Sequence, residues 1–242
     1  MSTSITLILL YVDDMIITGN NTVGIRDLQK FLSQHFEMKD LGTLSYFLDL
    51  EVTSSSDGYC LSQTKYASDL LSKAGFTDIK IVSTLLKLNV KLNATDSESL
   101  SDATCILRYI KGMLFHDLHF SAQSFLELRA YADANWAGDP TDRSSTTGYY
   151  FLLGSSLISW RSKKQSVVAR SNTKAKYCAL ADATSELLWL RWLLIDMGAP
   201  QTTSTPIHCD NRSAIHIAHN DVFHEHTKHI EIDCHFIHHH LQ

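Results

Sequence analysis

Several carboxylates in this chain stand where metal chemistry could be done, and a lysine stands among them. Asp13 and Asp14 follow the apolar run from Ile5 to Val12 and precede Met15-Ile16-Ile17-Thr18. Two adjacent carboxylates at a strand turn can hold Mg²⁺ over a triphosphate. Further along come Tyr131-Ala132-Asp133-Ala134-Asn135-Trp136-Ala137-Gly138 and Cys209-Asp210-Asn211-Arg212-Ser213-Ala214. Between them runs Ser171-Asn172-Thr173-Lys174-Ala175-Lys176-Tyr177-Cys178-Ala179-Leu180, the start of an amphipathic helix. A protonated lysine cannot ligate Mg²⁺, and its charge repels the ion. The basic stretch Trp160-Arg161-Ser162-Lys163-Lys164 reads either as a solvated hairpin end or as a phosphate contact with an aromatic beside it. Ten of the thirteen histidines lie after residue 207. His226, His229, Cys234, His235 and His238 to His240 could bring zinc to mind, but no standard finger spacing joins them.

Together these stretches resemble the ribonuclease H domain of copia-type LTR retrotransposon polyproteins. That family reads roughly Asp-Ala-Asp-Trp-Ala-Gly, then Ser-Ser-Thr-Glu-Ala-Glu-Tyr, then Cys-Asp-Asn. Tyr11-Val12-Asp13-Asp14 resembles the reverse transcriptase palm motif of the same elements. Phe36-Glu37-Met38-Lys39-Asp40-Leu41-Gly42 and Tyr46-Phe47-Leu48 match its continuation. The resemblance implies an α/β (α+β) fold. A ribonuclease H-like mixed sheet with flanking helices is expected over residues 126–242. A truncated reverse transcriptase palm/thumb remnant is expected over 1–100, with a shortened connection over 101–125.

The activity implied by the resemblance is cleavage of the RNA strand in RNA–DNA hybrids, dependent on Mg²⁺ or Mn²⁺. One ion activates water and the other stabilises the leaving 3′ oxygen. Carried over residue by residue, Asp133 is the ligand on the first strand and Asp210 the ligand after the fourth. Glu231, in His229-Ile230-Glu231-Ile232-Asp233, is a candidate late acidic ligand. Lys176 stands where the family has glutamate. Lys176 can reach towards Asp133 and Asp210 and partly replace the missing cation, since clustered carboxylates without metal repel one another. The other reading is a solvated helix residue. Asp13 and Asp14 are metal ligands of a polymerase remnant, which lacks the family's third palm carboxylate and the fingers. Cleavage is therefore expected to be lost or very weak. The alternative is a non-catalytic nucleic-acid- or protein-binding module on the same fold, in which Arg161, Lys163, Lys164, Lys174 and Lys176 matter more than the aspartates.

The elements that must position these residues follow from pattern. Ile5 to Thr18 reads as a hairpin, and Thr22 can cap a helix to about Phe36. A second hairpin is expected from Tyr46 to Ser62, and a short helix from Lys65 to Ala74 ends at Gly75. Asn89 to Asp102 is polar and reads as a linker, and Cys105 to Gly112 as a helix end. Leu128 to Trp136, Gly148 to Leu153, Ser156 to Trp160 and Ser166 to Arg170 read as strands. Thr173 to Met197 is a long helix with Leu180, Leu187, Leu188, Leu194 and Ile195 as its apolar stripe. Pro206 to Cys209 is a short buried strand and Arg212 to His219 a helix.

The 242 residues suffice for one large or two small domains, and 44% are hydrophobic. A formal charge of -5 argues against tight autonomous nucleic-acid binding, which phosphate neutralisation usually drives. The five cysteines are odd in number and contain no Cys-x-x-Cys pair. Reduced thiols inside a cell, in cytoplasm or nucleus, are the expectation. No run is long enough to span a bilayer, and no secretory leader is read at the start.

The departures from the family pattern share a form. Asp49 stands for Gly, Asn135 for Asp, Asn172 for Ser, Lys174 and Lys176 for Glu, and His226 and His238 for Arg. Each exchange can arise from a single G-to-A transition. If the chain is a decayed element, codons at these positions will differ from the family's by one such transition. Transversions or double changes there, read from the gene, would count against decay.

Overall fold

The computed structural model describes residues 4–76, 80–83, 101–220 and 231–240. The first apolar run forms β1 (Thr6–Tyr11), and β2 (Asp14–Gly19) returns antiparallel to it with Tyr11 opposite Asp14. Val12 and Asp13 make the turn. These two strands are a sheet of their own, and Ile8 to Val12 are each more than half exposed. Helix α1 (Thr22–His35) is capped one residue earlier than expected. Asn21 Oδ1 accepts from Gly24 N at 2.9 Å, because an amide oxygen at that position reaches the free N–H groups of the first turn.

Strands β3 (Tyr46–Phe47), β4 (Leu50–Ser55) and β5 (Gly58–Ser62) replace the single expected hairpin by two. The extra turn lies at Leu48 and Asp49, with φ of 50° and 62°. Both occupy the left-handed region that favours glycine, and aspartate is among the residues that tolerate it best. The Tyr46 hydroxyl donates to Asp49 Oδ1 at 2.9 Å across this turn. Helix α2 (Thr64–Lys73) ends near Gly75 as expected. After α3 (Ser101–Gly112) comes β6 (Leu118–Ser121), which pairs antiparallel with β5. Residues 101–125, read from sequence as a connection, thus supply the edge strand of a sheet ordered β3-β4-β5-β6.

A second sheet is built from β7 (Leu128–Asn135), β8 (Thr146–Leu153), β9 (Ser156–Lys164) and β10 (Ile207–His208). Its order is β10-β7-β8-β9, antiparallel except for the parallel pair β10–β7, which makes the fold mixed α/β. The expected strand from Ser166 to Arg170 is a loop. Strand β9 runs on to Lys164, and Val167 and Val168 are exposed rather than paired. Gln165 turns the chain out of the sheet, its Nε2 donating to Thr147 Oγ1 at 3.0 Å and to the Ala175 carbonyl at 2.9 Å. β10 is likewise not buried as expected. It is an edge strand with one neighbour, and His208 is exposed.

Helix α4 (Asn172–Asp196) lies across this sheet, with Ser171 as its cap. Ala175, Ala179 and Ala183 are fully buried and, with Ala134 and Ala132 on β7, let helix and strand approach closely. Tyr177, Leu180, Leu187, Leu190 and Leu194 complete the core with Leu128, Tyr149 and Phe151. The expected stripe is only partly right, since Ile195 is exposed. α4 is covered by β7 and β8 on one side and by α5 (Arg212–Ala218) and α6 (Glu231–His240) on another, so its buried residues do not form one stripe. No described helix is long and apolar enough to cross a membrane.

The core assignment has a direct check. Phe151→Ala is expected to destabilise the protein by about 3–5 kcal/mol, and Ile195→Ala by less than about 0.5 kcal/mol. Denaturant titration of both variants measures the difference.

Candidate functional site

The parallel pairing of β10 with β7 brings the ends of two distant segments together. Asp133 lies near the end of β7, and Asp210 follows β10 after Cys209. The alanine contacts set the first turns of α4 against this end of β7, and Lys176 projects between the two aspartates. Its Nζ lies 2.6 Å from Asp133 Oδ1 and donates to Asp210 Oδ1 at 2.5 Å. The lysine side chain is 10% exposed, whereas those of the aspartates are 67% and 71% exposed. The cation is therefore internal and the anions face solvent.

The electrostatics are those of an ammonium held by its partners. Burial pulls the Lys176 pKa down, but hydrogen bonds to Asp133 and Asp210 outweigh it and leave the group above its ordinary value. The hydrogen bond from Lys176, with one from the Ala134 amide, holds the Asp133 carboxyl below its ordinary range. Asp133 Oδ1 thus accepts from both Ala134 N, at 2.7 Å, and Lys176.

These residues do not fit a divalent cation. The Oδ1 atoms that would face it are both taken by Nζ, and a second positive charge at that point would be repelled. Among the described residues no group of three or more His, Cys, Asp or Glu side chains is arranged to hold a metal. Glu231 opens α6, but its side chain lies outside the described residues, as do His226, His229 and the side chain of His238. Asp13 and Asp14 sit at the tip of the separate β1–β2 hairpin.

The predicted basic stretch divides by strand alternation. Arg161 and Lys163 sit opposite Tyr149 and Thr147, on the helix-covered side of β9, and both lower the pKa of Asp182, which burial raises. Trp160 and Lys164 point to the other side. Lys164 is engaged by Asp139 and Asp142 at 2.6 and 2.7 Å. On that open side His208, Tyr131, Tyr150 and Trp160 stand in register across all four strands. Tyr131 stacks on Tyr150 at 4.7 Å and on His208 at 4.6 Å, beside an open groove of about 1160 Å³. The sequence carried a signal for this row in the outward positions of each strand, but only a known register joins them. Near α6, Cys178 donates towards Asp233 Oδ2 at 3.5 Å, and burial pushes the Cys178 thiol up to about 12. Such a thiol is inert at neutral pH.

The family described as reverse transcriptase (RNA-dependent DNA polymerase) matches residues 2–87. The chain is 35% identical to the retrovirus-related Pol polyprotein from transposon RE2 of Arabidopsis thaliana, over 99% of its own length. An uncharacterized mitochondrial protein of the same plant is 36% identical, with 75% of this chain covering 93% of that protein. Over nearly its whole length the chain is similar to one stretch of retrotransposon Pol polyproteins. It spans only 19% of the RE2 polyprotein and 21% of the Pol polyprotein from transposon TNT 1-94 of Nicotiana tabacum, to which it is 32% identical. The alignment with the RE2 Pol polyprotein runs over 281 positions, so that relative carries residues this chain lacks. No solved structure matches the chain.

A pH test follows for the loop beside the site. The Lys164 ammonium and the Thr141 amide hold Asp139 down at about 2, against 3.8 ordinarily. A depressed carboxylate stabilises the fold above its unfolded pKa, and that contribution is lost as pH falls through the folded value. Asp139→Asn is expected to flatten the acid limb of stability between pH 3.8 and about 2, leaving pH dependence near neutrality unchanged. Thermal melts across that range check it.

Proposed function

We propose that this Pol fragment is a ribonuclease H-like scaffold behind a reverse transcriptase palm/thumb remnant, and that its hydrolytic activity is lost or very weak. In this reading residues 126–242 are the ribonuclease H-like domain, 1–100 the remnant and 101–125 the joint. The order β7, β8, β9, α4, β10, α5, with a parallel β10–β7 pair, supports it. The observation that carries it is the convergence of Asp133, position 176 and Asp210 from three separate elements. Hydrolysis of RNA in a hybrid by two Mg²⁺ or Mn²⁺ ions needs a carboxylate at that helix position, and an ammonium is there. Asp133, Asp210 and Glu231 are the residues of the former centre, and Asp13 and Asp14 those of the polymerase remnant.

What this chain retains is the capacity to hold nucleic acid weakly. Arg161 and Lys163 on β9 lie near Asp182 of α4, and the first turns of the same helix carry Lys174 and Lys176, so cations from two elements stand along α4. Lys164 contributes less to phosphate contact, being shared between two aspartates. We place the protein inside the cell, in cytoplasm or nucleus, a reading supported by five free thiols.

The test is cleavage of a labelled RNA–DNA hybrid with Mg²⁺ or Mn²⁺, comparing the full chain with Lys176→Glu. No cleavage by the natural chain and measurable cleavage by the variant is the expected result. Cleavage by the natural chain at the variant's rate contradicts the reading. Binding without cleavage, weakening steeply with salt and with Arg161→Ala, supports the retained surface.

A further inference from the structure

We infer that the Lys176 ammonium is a built-in counter-ion that locks β10 to the sheet by tying Asp210 to Asp133, with no need of a divalent metal. The inference rests on reading positions 133, 176 and 210 as a former metal centre, and it concerns folding and metal exclusion rather than hydrolysis. Three observations carry it. First, β10 pairs with β7 through only Ile207 and His208, so the sheet hydrogen bonds alone hold it weakly. Second, Asp210, two residues beyond β10, is tied to α4 through Lys176, and Asp133 on β7 is tied to the same nitrogen. One group thus links three elements that are 43 and 34 residues apart in the chain. Third, the ammonium is buried while both carboxylates face solvent, the reverse of an ordinary surface ion pair. A lysine that was merely solvated would extend outward past them.

The arrangement accounts for charge without a metal. Two carboxylates brought to one point repel each other unless a cation lies between them. A divalent ion does this by ligation and is lost to chelators. The ammonium does it by hydrogen bonding and is covalently fixed to the helix. Removing it leaves the same two carboxylates with no compensating charge. Placing a glutamate there adds a third acid and recreates a demand for an external ion.

The experiment uses the full chain without nucleic acid, so its failure is distinct from failure of the hydrolytic reading. Melting temperatures are measured for the natural chain, Lys176→Met and Lys176→Glu, each in EDTA and in MgCl₂ with ionic strength matched by NaCl. The natural chain is expected to melt within about 1 °C of the same temperature in both solutions. Lys176→Met should melt lower by about 2 °C or more, because the two aspartates then face each other with no cation between them. Lys176→Glu should melt lower in EDTA and recover most of the loss in Mg²⁺, and should bind Mn²⁺ in calorimetry where the natural chain does not. A natural chain stabilised by Mg²⁺, or Lys176→Met melting with the natural chain, overturns the inference. If Lys176→Glu does not fold, those two comparisons still decide.

Discussion

One nitrogen atom organises the best-formed part of this molecule. Lys176 Nζ joins the end of β7, the start of α4 and the segment after β10 through contacts of 2.6 and 2.5 Å. A buried ammonium is costly unless its hydrogen bonds are satisfied, and here two carboxylates supply them. The close approach that makes this possible comes from alanines. Ala134, Ala169, Ala175 and Ala179 pack where larger side chains would hold the helix away from the strand and put the carboxylate beyond the ammonium's reach. Packing thus sets the electrostatics, and the electrostatics hold the edge strand.

The two halves of the chain are stabilised differently. Among the described residues, the buried hydrophobic side chains before Leu128 are Val52 and Leu71, whereas the second half has a continuous core around α4. The first half, which carries the reverse transcriptase match, depends on strand pairing with little burial behind it. A two-stranded sheet without an apolar partner is marginal in water. Its link to the second half includes Ile5, which packs against Gly198 at the end of α4, where φ is 76° and a side chain would strike Ile5 Cδ1. Asp13 and Asp14, within the segment matched by the reverse transcriptase family, therefore sit on the least supported element, and Asp133 and Asp210 on the most supported one.

Much of this was legible in the sequence, and what was missed has physical reasons. Periodicity placed β1, β2, α1, α2 and α4 closely, because each is long or strongly patterned. The pairing of Lys176 with Asp133 and Asp210 was foreseeable once the three motifs were aligned with a family. The failures lie where local signals were ambiguous. Val167 and Val168 have strand propensity, yet the chain there must leave the sheet to begin α4, and Gln165 fixes that exit. Ile195 fits a helical stripe, but α4 is enclosed from more than one side. The role of Leu118 to Ser121 as an edge strand depends on pairing with Gly58 to Leu61, about sixty positions earlier, which no local pattern encodes. The His208–Tyr131–Tyr150 stack depends in the same way on register.

The central claim is that Lys176 is energetically coupled to both aspartates rather than merely near them. A double-mutant cycle measures this directly, using Lys176→Met with Asp210→Asn and, separately, with Asp133→Asn, each read by denaturant unfolding. Coupling energies of about 1 kcal/mol or more in both cycles are predicted for an internal ammonium shared by two partners. Additivity within about 0.3 kcal/mol in both cycles would show that the short contacts contribute no stability, and would contradict the account.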